Sequence, residues 1–220
     1  MRLLAQPGVF LRAGIAAMIG SLACYPRMAA VSDPRAPIFF AWPVLLLCQF
    51  VLWAFVFAWQ FEYTRRPVFA ACFQPKIWAI ATLCGVAWAL LLHFQDPQYR
   101  LLAPADYPTD WNTWAAMTLF ALALQPLFTY FAPFAFFIRL SRKTSVALPL
   151  TVLFGVFVLY EKLTTLKTPP PVGLVLELAA LRVVGGYLTL YFYLNGGAVL
   201  VWWTVLLVQL RHLPGLMQAH

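Results

Sequence analysis

An all-α fold, a polytopic membrane helix bundle of about seven transmembrane helices (six to eight), is what the 220-residue sequence predicts, on three observations. Hydrophobic residues make up 63% of the chain and charged residues only 10%, with a mean hydropathy of +0.80. A soluble fold of this size cannot hide so much apolar surface, whereas lipid solvates all of it. The apolar residues fall into runs that match a hydrocarbon core about 30 Å thick, which takes roughly 20 residues of helix. The separators "PRMAAVSDPRAP" and "KTPPPVG" carry prolines that cannot continue a helix, and "NGG" from Asn195 signals a tight turn. No linker, low-complexity tract or fixed-period repeat divides the chain, so residues 1–220 read as a single integral membrane domain. A transporter built from duplicated halves is correspondingly disfavoured.

Taken in order, helices are expected near 8–24, 37–60, 77–94, 113–139, 146–161, 173–193 and 198–211. The first, fifth and last are short, which leaves tilted, interfacial and re-entrant placements open for each. The N-terminal stretch has basic residues, a short apolar run and small residues before Cys24, as a signal peptide does. Arg12 falls late for a signal's basic region, and Ser21 stands where a lipoprotein cleavage box wants Leu. The segment therefore reads as an uncleaved first helix.

The formal net charge is +8, but Lys and Arg are scattered singly or in pairs at the ends of apolar runs. That is the positive-inside pattern, not a nucleic-acid face. The expected partners are the lipid bilayer and a membrane protein, with no nucleic acid. Arg2, Arg12, Arg65, Arg66, Lys76, Arg142 and Lys143 fall on one side of the alternating helices, which is expected to be cytoplasmic. The expected location is thus a bacterial inner (cytoplasmic) membrane with the N-terminus in the cytoplasm. The opposite loop, "QDPQYRLLAPADYPTDWNTW", carries Asp96, Asp106 and Asp110, with Trp111 and Trp114 as an aromatic belt at its exit. Lys162 and Lys167 dissent, because this alternation puts them outside; a re-entrant fifth helix would flip everything after it.

An ionisable group within a span costs several kcal/mol unless paired or hydrated, so each is a functional candidate. His93 lies about a turn from its expected helix end and reads first as an interfacial histidine. Glu161 adjoins Lys162 at a helix end, the position of an ordinary boundary charge pair. Glu177 and Arg182 share one apolar run, "VGLVLELAALRVVGGYLTLYFYL". Their spacing sets them about 140° apart on a helix, so they do not pair with each other at the favoured spacing of three or four. Arg182 with Glu161, or Glu177 with Lys162, would make a structural ion pair; a proton or substrate site is the alternative. Arg211 and His212 complete the set.

Hydrolase patterns are missing: there is no GxSxG, no HExxH and no helix with two acids at usable spacing. Histidines at 93, 212 and 220 could form a metal site only if distant helix ends converged. Cys24, Cys48, Cys72 and Cys84 show no CxxC pairing and are expected as buried free thiols. No phosphate-binding glycine loop appears, and Gly185 and Gly186 suit close helix packing. No catalytic set, metal or cofactor is expected.

"QPLFTYFAPFAFFIRL", "LPLTVLFGVFVLYEKL" and "LRVVGGYLTLYFYLNGGAVLVWW" together resemble, in helix order, spacing and turn chemistry, the CPBP family of Abi-type intramembrane proteases. The resemblance covers residues 113–212 and implies a CPBP-like helical core. The family carries EExxxR, FxxxH and HxxxN on successive helices. Here Arg139 stands at the EExxxR arginine, with Phe134 and Ala135 where the glutamates would be, and Val158 replaces the FxxxH histidine. The following "TVLLVQLRHL" lacks a clear HxxxN. The resemblance implies a peptide-hydrolysing site, but Phe, Ala and Val can neither ionise nor accept a proton. Arg139 then reads as a structural remnant or as the boundary charge of its helix, which satisfies both dipole and interface.

Three functions compete. The leading one is a non-catalytic scaffold or accessory subunit that binds a membrane partner, with Glu177, Arg182, Arg139 and Glu161 as candidate polar contacts. The second is an enzyme with a relocated site drawing on Glu161, Glu177, His93 or His212. The third is a small transporter or ligand-binding bundle with Glu177 and Arg182 lining a polar cavity. A water-accessible cavity favours the third, and a dry interhelical ion pair the first.

Overall fold

The computed structural model describes residues 7–31, 38–69, 74–166 and 168–217. Arg2, Cys72, Lys167 and His220 lie outside the described residues. All regular structure among the described residues is helical. The elements are α1 (Pro7–Val31), α2 (Ile38–Phe55), a π-helical turn (Val56–Gln60), α3 (Phe61–Thr64) and α4 (Pro75–Leu102). There follow α5 (Trp111–Ala123), a second π turn (Leu127–Phe131), α6 (Ala132–Ser141), α7 (Thr144–Thr164), α8 (Val172–Gln209) and α9 (Leu213–Met217).

Among the described residues six segments are long and apolar enough to cross a membrane, and the last, Val172–Met217, has 46 residues. Drawn straight, it would run about 69 Å, more than twice the hydrocarbon thickness. It does not stay straight. Backbone torsions at Gly197 leave the helical region (φ 72°, ψ −172°), and the two arms of α8 lie on the same helix, α4. In the first arm Gly185 meets Trp88 and Glu177 meets Gln95. In the second, the Trp203 Nε1 donates to Thr82 Oγ1 (2.9 Å) and Leu207 packs on Gly85, and in the 3-10 turn that continues it (Leu210–His212) Arg211 faces Asp96. Residues 177 and 211 would be about 51 Å apart along a straight helix; here they contact adjacent residues of α4. The six segments therefore place seven helical rods side by side, and the break falls within the "NGG" turn signal. The reversal docks on the stretch after α3, where Ala198 N donates to Val68 O (2.8 Å) and Arg66 Nη1 to Leu194 O (2.7 Å).

Other boundaries move outward for one reason. The expected first and third helices stop before Pro26 and Pro97, yet α1 and α4 run through both prolines. A membrane helix tolerates an internal proline because its neighbours re-satisfy the freed groups. α7 spans 21 residues, about 31 Å at helical rise. It starts beside Lys143 and ends with Lys162 against Asp106 of the opposite loop, so it traverses the bundle rather than re-entering.

The buried core is aromatic. Tyr193 is fully buried, stacks on Phe131 (4.1 Å between centroids) and meets Phe134 edge-on; its hydroxyl donates to Gln60 Oε1. Both π turns converge here, Gln60 from the first and Phe131 from the second. Pro133 has no N–H to offer the carbonyl of Thr129 four residues back, which favours the wider turn at that point. α1 joins the core through Ala13, Ala17, Ser21 and Cys24, all fully buried. Cys24 and the half-buried Cys84 are free thiols as expected, but Cys48 is exposed on α2; an apolar run gives no sign of which of its faces meets lipid.

Gly197 occupies a backbone region essentially closed to other residues, so Gly197→Ala should cost about 1–3 kcal/mol of strain. Thermal unfolding in detergent reads this directly, and an unchanged midpoint would show that the reversal does not depend on glycine. At the start of α5, Asp110 is the N-cap and accepts from Thr113 N (2.8 Å) and Thr113 Oγ1 (2.7 Å). These bonds hold its carboxyl below the usual value, so its stabilisation is present above the unfolded carboxyl pKa, about 4, and is lost as pH falls through the lower folded value. The thermal midpoint of Asp110→Ala should therefore converge on that of the parent at low pH.

Candidate functional site

A cavity of about 590 Å³ opens between α4, α5, α7 and the two arms of α8, within the usual range of small-molecule sites. Its mouth, at the end of the bundle that carries the Asp96–Asp110 loop, is polar. There Arg27 Nη2 donates to Ala105 O (2.7 Å), Lys162 pairs with Asp106 (2.7 Å), and Arg211 Nε pairs with Asp96 (3.2 Å). Tyr107 Oη also donates to Asp96 (2.9 Å). Burial, then the bond to Asp96, pushes the Tyr107 phenol well above its ordinary value, so it remains a donor. His212 Nδ1 lies 3.9 Å from Asp96, its ring edge-on to Tyr107.

Deeper in, Leu92, Leu159 and Leu178 line the wall before Arg182, which lies ten residues into its helix, about 15 Å from Val172 and about 21 Å from Gly196. Arg182 Nη1 makes one long hydrogen bond, 3.5 Å to Tyr130 Oη. No acid pairs with it among the described residues. Two glycines pack beside this pair: a Cβ on Gly155 would sit 3.7 Å from Arg182 Cδ, and one on Gly186 would sit 3.4 Å from the Tyr130 ring. The expectation that Gly185 and Gly186 serve close packing is met, with Gly185 against Trp88. The second π turn brings the neighbouring Thr129 and Tyr130 both to the cavity wall.

The other sequence candidates do not gather here. Glu177 is exposed and hydrogen-bonds with Gln95 rather than with Lys162; the 140° offset from Arg182 already separates the two faces. Glu161 is exposed at the end of α7. Lys162, one residue and about 100° further round the helix, turns to Asp106 instead of forming the expected boundary pair with Glu161. The lysine that dissented from the charge alternation is thereby neutralised by the opposite loop. His93 is exposed and packs edge-on to Phe94, and α4 continues nine residues beyond it. Arg139 lies in the last turn of α6 with its guanidinium 4.3 Å from the Trp59 ring centroid, a cation–π contact of about 1 kcal/mol. Phe134 and Ala135 are fully buried in the core, while Val158 lines the cavity. Among the described residues no three His, Cys, Asp or Glu side chains converge as a metal site would need.

No family model, no curated protein and no solved structure matches the chain.

Sequence reasoning missed the mouth. Asp96 and Arg211 are 115 residues apart, and Lys162 and Asp106 are 56 apart in the chain; neither pairing has a local signal. The two pairs differ in shielding. Side chains of Arg211 and Asp96 are 15% and 17% exposed, those of Lys162 and Asp106 47% and 34%. Asp96→Ala should cost about 2 kcal/mol, since it strands a shielded arginine and the Tyr107 hydroxyl. Asp106→Ala should cost less than about 1 kcal/mol. Chemical unfolding of the two variants in the same detergent checks the order, and equal losses would show that shielding does not separate them.

Proposed function

We propose that this protein is a non-catalytic ligand-binding bundle of a membrane, with the cavity between α4, α5, α7 and α8 as its binding site. One observation carries the reading: Arg182, about 15 Å along its apolar helix from Val172, lines a cavity of about 590 Å³ without an acidic partner among the described residues. A guanidinium cannot shed its proton, so an unpaired one at this depth is costly unless water or a ligand meets it. The scaffold role would be better served by a dry pair between helices, and neither Arg182–Glu161 nor Glu177–Lys162 forms among the described residues. A relocated catalytic site gains less from the geometry, because Glu161, Glu177 and His93 are exposed and, of that set, only His212 lines the cavity, at its mouth. The protease-type positions Phe134 and Ala135 pack into the core, in keeping with a binding rather than a hydrolytic role. By the positive-inside rule, the proposed orientation puts the end bearing Arg65, Arg66, Arg142 and Lys143 in the cytoplasm of a bacterium, so the cavity mouth faces away from it.

Cys84 lines the cavity and is its natural reporter. In the full-length chain with Cys24, Cys48 and Cys72 replaced by Ala, a water-soluble sulfonatoethyl thiosulfonate is expected to label Cys84. Cys48, retained alone in a companion variant, faces outward from α2 and should label far more slowly in a lipid nanodisc. Equal, negligible labelling of both would mean that the cavity is closed to water and would sink the reading.

A further inference from the structure

We infer that the cavity takes an amphiphile with one singly charged anionic head, a carboxylate or phosphate diester, seated on Arg182 and Tyr130 with its apolar body toward the mouth; this rests on the ligand-binding reading above. The charge balance of the lining points to an anion. Lys162 and Arg211 are already met by Asp106 and Asp96, and Arg27 is engaged with the Ala105 carbonyl. Arg182 is left with one long bond out of five N–H donors. The planar fork matches a carboxylate or phosphate with two parallel hydrogen bonds. Tyr130 Oη accepts from Arg182, so its own hydrogen is free to donate to the same anion, and the Thr129 hydroxyl stands next to it on the π turn.

The apolar body follows from the wall. Between Arg182 and the charged mouth the cavity is lined by Leu92, Leu159 and Leu178, surface on which an inorganic anion would gain nothing and an alkyl or aromatic body gains in proportion to the area covered. A multiply charged head would carry more charge into the apolar-walled cavity than the one arginine there can meet, which restricts the head to a single anionic group.

The test uses the full-length chain with Cys84 as its only cysteine, in zwitterionic phosphatidylcholine nanodiscs at about pH 8, well above the carboxyl range. Protection of Cys84 from the thiosulfonate is titrated with dodecanoate, dodecanol and dodecylamine. Dodecanoate is expected to protect at the lowest concentration. Arg182→Met should weaken that protection roughly tenfold or more while leaving dodecanol unchanged, and Arg182→Lys should restore part of it. The thermal midpoint of Arg182→Met should be equal to or above that of the parent, since an unpaired charge is removed. Equal protection by dodecanoate and dodecanol, or weakening of both by Arg182→Met, overturns the anionic head while the cavity reading stands. Protection by none of the three, with Cys84 still reactive, overturns the ligand-binding reading itself.

Discussion

Everything that distinguishes this bundle from a row of apolar helices depends on the chain turning back at Gly197. Without the reversal, the segment after residue 172 would be a single rod far longer than any bilayer is thick, with its second half unable to reach α4. With it, one helix supplies the wall opposite both arms: Trp88 and Gln95 face the first, Thr82, Gly85 and Asp96 the second. Arg182 enters the cavity from the first arm, and Thr204, Arg211 and His212 line it from the second. A glycine is needed there because the backbone torsions lie where a Cβ collides with its own chain. The docking of the turn on Val68 and Arg66 then satisfies polar groups that a break in a helix would leave open.

The protein handles its polar groups differently at three depths. At the mouth Lys162 meets Asp106 and Arg211 meets Asp96, near enough to water that each pair is cheap to keep, while Arg27 bonds the Ala105 carbonyl. In the core the polar groups are neutral: Gln60 accepts from Tyr193 across the bundle, and Ser21 and Thr151 donate to carbonyls one turn back on their own helices. Arg182 fits neither scheme. It is a permanent charge well inside an apolar helix, and its one hydrogen bond among the described residues goes to the Tyr130 hydroxyl, with Gly155 and Gly186 packed beside the pair.

Much of the fold was legible because its signals are local. Run length and hydropathy define spanning segments, and "NGG" marks the reversal. Helix ends beyond Pro26 and Pro97 were not legible, since proline is a stop signal in water and a tolerated residue in a packed membrane bundle. For the site, Arg182 and Glu177 could be singled out as charges in an apolar run and even assigned to different faces by their spacing. That Glu177 meets Gln95, and that Lys162 turns to Asp106 instead of Glu161, depends on which helices are neighbours.

By itself, then, the sequence determined the class of the molecule, its helical segments, the place of its reversal and the short roster of charges at membrane depth. These follow from transfer free energies and backbone chemistry, which act residue by residue. Only the tertiary structure decided which of those charges would be neutralised and which left facing a cavity. Ion pairing needs two side chains within about 4 Å, and residues 96 and 211, or 106 and 162, reach that distance only once α4, α7 and the folded-back arms of α8 have packed together.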